Sequence, residues 1–177
     1  MKPKGVYFRT VSIDRIGIGQ DSHRLVEGRT LVLGGVKIPF EKGLLGHSDG
    51  DAVLHAVADA MLGAAGLADL GEMFPDTDPA YRNMDSRKIL RQVAERIHEL
   101  GYGVVNVDIT IHAERPKLGV YKPKIRDVVA GILNIPASAV AVKAKTAEGL
   151  DAVGQGRAVQ CLAAVGLAVI GQRSSEY

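Results

Sequence analysis

Val104-Val105-Asn106-Val107-Asp108-Ile109-Thr110-Ile111-His112-Ala113 decides the fold. Its apolar residues recur at every second position, the period of a half-buried strand. Val105, Val107, Ile109 and Ile111 are expected to face one side. Downstream, a helix is predicted over Tyr121 to Leu133, and Asn134-Ile135-Pro136 turns the chain into a strand from Val140 to Lys145. Val159 to Ile170 is apolar and β-branched enough for a central strand, although its alanines also permit a helix. Upstream, Asp85 caps a helix that runs to Leu100 and stops at Gly101. Residues 63–84 read as a long loop, the kind that usually serves function. Before it comes a helix from about Gly50 to Leu62, capped by Asp49 or Asp51. Thr30 to Leu33 and Val36 to Pro39 form a hairpin turning at Gly34-Gly35, and Arg15 to Gly19 is a short strand. Helices between strands predict an α/β (α+β sandwich) fold, a mixed β-sheet with helices packed on it.

The chain has 177 residues, enough for one domain with a sizeable core. Residues 1–13 read as an arm, 14–171 as the domain and 172–177 as a polar tail. Its 46% apolar and 24% charged residues exclude general disorder. Trp is absent, so the core rests on Ala, Val, Leu and Ile. A net charge of +2 gives no reason to expect nucleic acid or an anionic membrane as partner. The single cysteine, Cys161, cannot form an internal disulfide, and its apolar run is too short to span a bilayer. With no secretory signal visible, a cytoplasmic location is expected.

Asp21 and His23 are two residues apart, and in extended backbone both point to one side, where they could share a metal ion. Alone, such a pair is more often a turn former beside a surface histidine. Asp51, His55 and Asp59 follow at helical spacing, so His55 is a candidate third ligand. One Asp and two His make a three-ligand zinc set with an open position, as in catalytic sites. Asp51 or Asp59 would then receive the other ring N–H of a ligand histidine. A solvated acidic face with a chance histidine is an equal reading. His47 and Ser48 open the same helix, where backbone N–H groups suit a phosphate, or where Ser48 simply caps. Phe74-Pro75-Asp76-Thr77-Asp78 offers two carboxylates to sugar-like hydroxyls, or is a plain turn. Lys143-Ala144-Lys145-Thr146-Ala147-Glu148 suits a phosphate with a divalent cation, or is a solvated strand end. Cys161 reads as a buried hydrophobe.

These pieces, in this order, resemble the 2-C-methyl-D-erythritol 2,4-cyclodiphosphate synthase family of the non-mevalonate isoprenoid (terpenoid) pathway. The resemblance rests on Arg15-Ile16-Gly17-x-Gly19-x-Asp21-x-His23, Gly34-Gly35-Val36-x-Ile38-Pro39 and Lys42 to Asp51 with His55. Asp69-Leu70-Gly71, Phe74 to Asp78, Asp85-Ser86, Asn106-Val107-Asp108, Pro116-Lys117 and Lys143-Ala144-Lys145-Thr146-x-Glu148 complete it over about residues 14 to 171.

The resemblance implies a lyase. The 2-phosphate of 4-diphosphocytidyl-2-C-methyl-D-erythritol 2-phosphate attacks the β-phosphate, CMP leaves and a cyclic diphosphate forms. A zinc-dependent phosphoesterase is the alternative. By position, Asp21, His23 and His55 would hold zinc, with a β-phosphate oxygen as fourth ligand. Glu148 would hold a second divalent cation, magnesium or manganese. His47 and Ser48 would contact the methylerythritol phosphate, Asp76 the erythritol hydroxyls beside Phe74, and Asp69 and Gly71 the ribose. Ala113, Lys117 and Leu118 would line the cytosine pocket. Thr146 would serve the diphosphate, with His47, Thr146 and Asp59 as the catalytic or substrate-positioning side chains. The family is homotrimeric, with active sites between subunits. Gln20 stands where many members have Phe, and Gln155 where some have an Arg facing a central cavity that holds an isoprenoid diphosphate.

Overall fold

The computed structural model describes residues 12–81 and 84–170. The arm up to residue 11 and the tail from residue 171 lie outside the described residues.

Strand β1 (Arg15–Glu27) is longer than its apolar start predicts. Gln20 to Arg24 are polar on both faces, yet they stay extended because β7 (Ala158–Val169) runs antiparallel beside them, with Asp21 opposite Cys161 and His23 opposite Val159. β2 (Leu31–Leu33) and β3 (Val36–Ile38) form the expected hairpin. β4 (Lys42–Leu44) was not legible as a strand and pairs with the end of β1. β5 (Tyr102–His112) is antiparallel to β7, and β6 (Val140–Lys145) is parallel to β5. The five-stranded order is β4-β1-β7-β5-β6, a mixed sheet. β7 is thus a central strand, which settles the ambiguity left by its alanines.

The alternation in β5 holds for Val107, Ile109 and Ile111, all buried, but not for Val105. A register shift between Val104 and Asn106 leaves Val105 as an extra residue. Such a bulge resets which face a strand's side chains take, and Tyr102 and Val104 pack on the core instead.

Helix α1 (Ala52–Ala65) lies against β1 and β7 and is buried almost all round. Its close approach depends on two glycines. A Cβ at Gly17 would sit 2.0 Å from the Ala60 carbonyl oxygen, and one at Gly19 would sit 2.2 Å from that of Ala56. No side chain fits there. Two and four residues beyond Gly19, Asp21 and His23 fill the same face beside the first turns of α1.

The predicted 63–84 loop contains α2 (Leu70–Met73), capped by Asp69, and a 3-10 turn at Pro79–Tyr81. α3 (Ser86–Glu99) is capped by Asp85 and buries Ile89, Leu90, Val93 and Ile97 along one stripe. α4 (Lys122–Leu133) ends on Asn134 in the left-handed region, and a short α5 (Asp151–Gly154) precedes β7. α1 packs on α3 and α3 on α4. On the other side of the sheet Ile16 and Ile18 are 71% and 68% exposed, beside Leu162.

Candidate metal centre and adjoining cavity

Asp51 is the N-cap of α1, and its carboxylate accepts from Val53 and Leu54 N–H. It also accepts from Gly34 N–H at 2.8 Å and Gly35 N–H at 2.6 Å, pinning the β2–β3 turn to the helix. Burial pushes this carboxyl above the ordinary range, against the pull of those donors. Asp51 is therefore spent on the fold and does not meet a ring N–H of a histidine.

With α1 anchored, His55 projects from its first turn toward β1. Its Nδ1 lies 2.9 Å from Asp21 Oδ2 and 3.4 Å from His23 Nε2, and His23 Nε2 lies 2.8 Å from the same Asp21 oxygen. Tetrahedral zinc with bonds near 2.0–2.1 Å spaces its ligand atoms about 3.3 Å apart. Two imidazole nitrogens and one carboxylate oxygen thus converge at a spacing that fits one divalent cation. Among the described residues this is the one cluster of three or more such groups. Burial alone would raise the Asp21 carboxyl, but hydrogen bonds and charge from His23 and His55 hold it well below the usual range. Burial also works against protonated His23, yet the bond to Asp21 and its charge raise the His23 pKa above 6.5. A bound cation would take the place of the proton that Asp21 and His23 share.

The outer ring nitrogen of His55 meets neither Asp51 nor Asp59. Its Nε2 lies 2.8 Å from Ser86 Oγ and 3.1 Å from Ser48 Oγ. Ser86 Oγ in turn donates to Asp49 Oδ1 at 2.5 Å. Asp59 Oδ1 accepts from Leu70 N–H at 3.2 Å, fastening the start of α2.

His47, Ser48, Gly71, Phe74 and Asp76 share with His23 and His55 a cavity of about 280 Å³. Tyr81 and Ile89 also line it, which no motif foretold. An adjoining cleft of about 370 Å³ runs past the triad to Asp59, Asp69 and Gly71. The other expected site residues lie elsewhere. Ala113, Lys117 and Leu118 follow β5, and Thr146 and Glu148 follow β6, on the far side of β7 from the triad. Thr146 Oγ1 donates to the Glu148 carboxylate, and Ala113 N–H donates to Lys145 C=O at 2.9 Å. Cys161 is buried, and burial pushes its thiol far up, so it is no thiolate nucleophile.

Fold and site together define a mixed α/β protein with an Asp-His-His triad that could hold a divalent cation, beside a cavity of about 280 Å³. A family model described as the YgbB family matches residues 14–168. A 2-C-methyl-D-erythritol 2,4-cyclodiphosphate synthase of Clostridium perfringens is 52% identical over 145 residues, which is 82% of this chain and 93% of the relative. A solved structure of 2C-methyl-D-erythritol-2,4-cyclodiphosphate synthase in a CDP-bound form superposes with a TM-score of 0.81 at 41% identity, covering 87% of this chain and 100% of that one. The bifunctional IspDF of Campylobacter jejuni gives 0.85 at 38% identity over 88% of this chain, which spans only 42% of that longer one. The chain belongs to the YgbB family, the 2-C-methyl-D-erythritol 2,4-cyclodiphosphate synthases. With them it is an enzyme, a lyase of isoprenoid biosynthesis.

Proposed function

We propose that the chain converts 4-diphosphocytidyl-2-C-methyl-D-erythritol 2-phosphate to 2-C-methyl-D-erythritol 2,4-cyclodiphosphate and CMP. A 2-phosphate oxygen of the substrate forms the new bond to the β-phosphorus. The bond from that phosphorus to the oxygen of the CMP phosphate breaks, and CMP leaves with its electron pair. The nucleophile belongs to the substrate, which agrees with a buried, inert Cys161. The observation that carries the reading is the Asp21-His23-His55 triad opening onto the cavity shared with His47, Ser48 and Asp76.

Asp21, His23 and His55 would hold zinc, and Glu148 a magnesium or manganese ion; the cations supply charge neutralisation at the phosphates. His47 and Ser48, just before α1, would orient the methylerythritol phosphate. Asp76 would accept from erythritol hydroxyls beside Phe74. Asp69 and Gly71 would hold the ribose, and Asp59 supports them through Leu70. Ala113, Lys117 and Leu118 would border cytosine, and Thr146 the diphosphate. Placing this second set near the triad calls for another subunit, and the exposed apolar face of Ile16, Ile18 and Leu162 favours a homotrimer. No described helix is long and apolar enough to cross a membrane, and a cytoplasmic location is part of the proposal. The relatives above are named as synthases, which gives the phosphoesterase reading no support.

A phosphorus NMR time course with the cytidyl substrate, zinc and magnesium tests the reading, with His55→Ala as control. Cyclic diphosphate and CMP signals, absent in the control, are expected. Linear phosphates would replace the reading with a hydrolase, and unchanged substrate would replace it with a binding protein.

A further inference from the structure

Ser86 opens α3 and is fully buried, although its hydroxyl is not needed to cap that helix, since Asp85 does so. Its Oγ stands between two polar atoms, His55 Nε2 at 2.8 Å and Asp49 Oδ1 at 2.5 Å. Both oxygens of Asp49 grip this one residue, because Asp49 Oδ2 also accepts from Ser86 N–H at 3.2 Å. Asp49 is itself held, its N–H donating to Met84 C=O at 3.1 Å and its Oδ1 accepting from Asp51 N–H at 3.3 Å.

Donor counting fixes the direction of the chain. A carboxylate only accepts, so the single hydroxyl proton of Ser86 goes to Asp49. The lone pairs of Ser86 Oγ are then left to accept, and His55 Nε2–H at 2.8 Å is the nearer donor, with the Ser48 hydroxyl at 3.4 Å. Nδ1, the nitrogen that faces Asp21 and His23, can donate to Asp21 only while no cation is there; with a cation bound, a proton kept on Nε2 leaves the Nδ1 lone pair free for the metal. Carboxylates and other acceptors behind a metal-ligating histidine act in this way, setting both tautomer and ring orientation. Here the carboxylate acts through a hydroxyl.

We propose that Asp49 and Ser86 are positioning residues for the metal centre: the relay Asp49–Ser86–His55 holds the His55 ring with Nδ1 open to the cation. The relay reaches the site from α3, so the start of that helix is tied to the triad. Ser48 Oγ, 3.1 Å from the same Nε2, already accepts from Gly50 N–H and has no carboxylate behind it. It does not replace Ser86.

The inference rests on the metal reading of the triad, and zinc itself is the probe. Zinc affinity is measured by competition with a chromophoric chelator for the parent, Ser86→Ala, Asp49→Asn and the double variant. Each single variant is expected to weaken zinc binding about 10–100-fold, the usual cost of losing such a partner. The double variant is expected to lose little more than the worse single one, because the two act in series. Asp85→Ala, which removes the cap of α3 and the ion pair with Arg87 but touches no member of the relay, lowers the thermal midpoint and leaves zinc affinity unchanged. In the zinc-loaded parent, a slowly exchanging His55 Nε2–H resonance is expected in nitrogen-15 spectra, and it decides alone if a variant does not fold. Variants that hold zinc as tightly as the parent, or a parent without that protected resonance, would overturn the relay only. A parent that binds no zinc would overturn the metal reading along with it.

Discussion

Two clusters hold the residues proposed to carry the chemistry, and they differ in how finished they are. The triad between β1 and α1 is partly buried, and each ligand is anchored in a regular element with defined neighbours. The Thr146–Gly149 turn after β6 is different. Glu148 is exposed with φ at +51°, Leu150 is 72% exposed, and Thr146 turns to its own neighbour Glu148. One cluster brings its three groups together within a single chain. The other presents polar groups outward, as a surface that meets a partner does.

Breaking the assembly should separate the two most sharply. Ile18→Lys places a charge on the exposed apolar face, and turnover is expected to fall to background while zinc stays bound. Sedimentation should then report single chains. An Ile18→Lys protein that turns over normally as a single chain would show that one subunit carries a whole site. Asp51→Ala strikes the foundation of the first cluster. It orphans four backbone donors and removes the cap of α1, with an expected loss of about 3 kcal/mol in urea unfolding. A loss no larger than that of an exposed cap would mean the β2–β3 turn is held by other contacts.

The smallest effect is one of pH. In protein stripped of metal, burial opposes a charged His23, but Asp21 more than offsets it and raises its pKa above 6.5. Its contribution is fully present below that unfolded value and lost as pH rises through the higher folded one. Asp21 runs the other way, its contribution fading only as pH falls below the carboxylate range, through its depressed folded value. The urea midpoint of the stripped protein should therefore decline as pH rises past neutrality. Zinc-loaded protein should not follow, because ligation requires neutral rings. A flat profile for the stripped protein would mean that Asp21 and His23 do not pair without metal.

Local patterns announced most of the elements. Alternation marked β5, and Asp85 and Gly101 marked the ends of α3, while α1 runs past its expected end at Leu62 to Ala65 and stops on Gly66. The three ligand candidates were legible because Asp-x-His shares a strand face and His55 follows at helical spacing from Asp51. Ser86 and Asp49 were not legible as partners of His55, since 31 residues separate Ser86 from that histidine and the hydroxyl has no pattern of its own. Val105 was misplaced because a bulge leaves no trace in alternation.

The sequence by itself determined the period of each element, the ligand types and the family resemblance. These are properties of neighbours along the chain. Only the tertiary structure decided which carboxylate serves which end. Asp51 anchors the hairpin, Asp59 fastens α2, and Asp49 backs His55 through Ser86. The reason is geometric. A carboxylate's role follows from the donors that packing brings within about 3 Å, and here those donors come from distant segments held by α1 lying on Gly17 and Gly19.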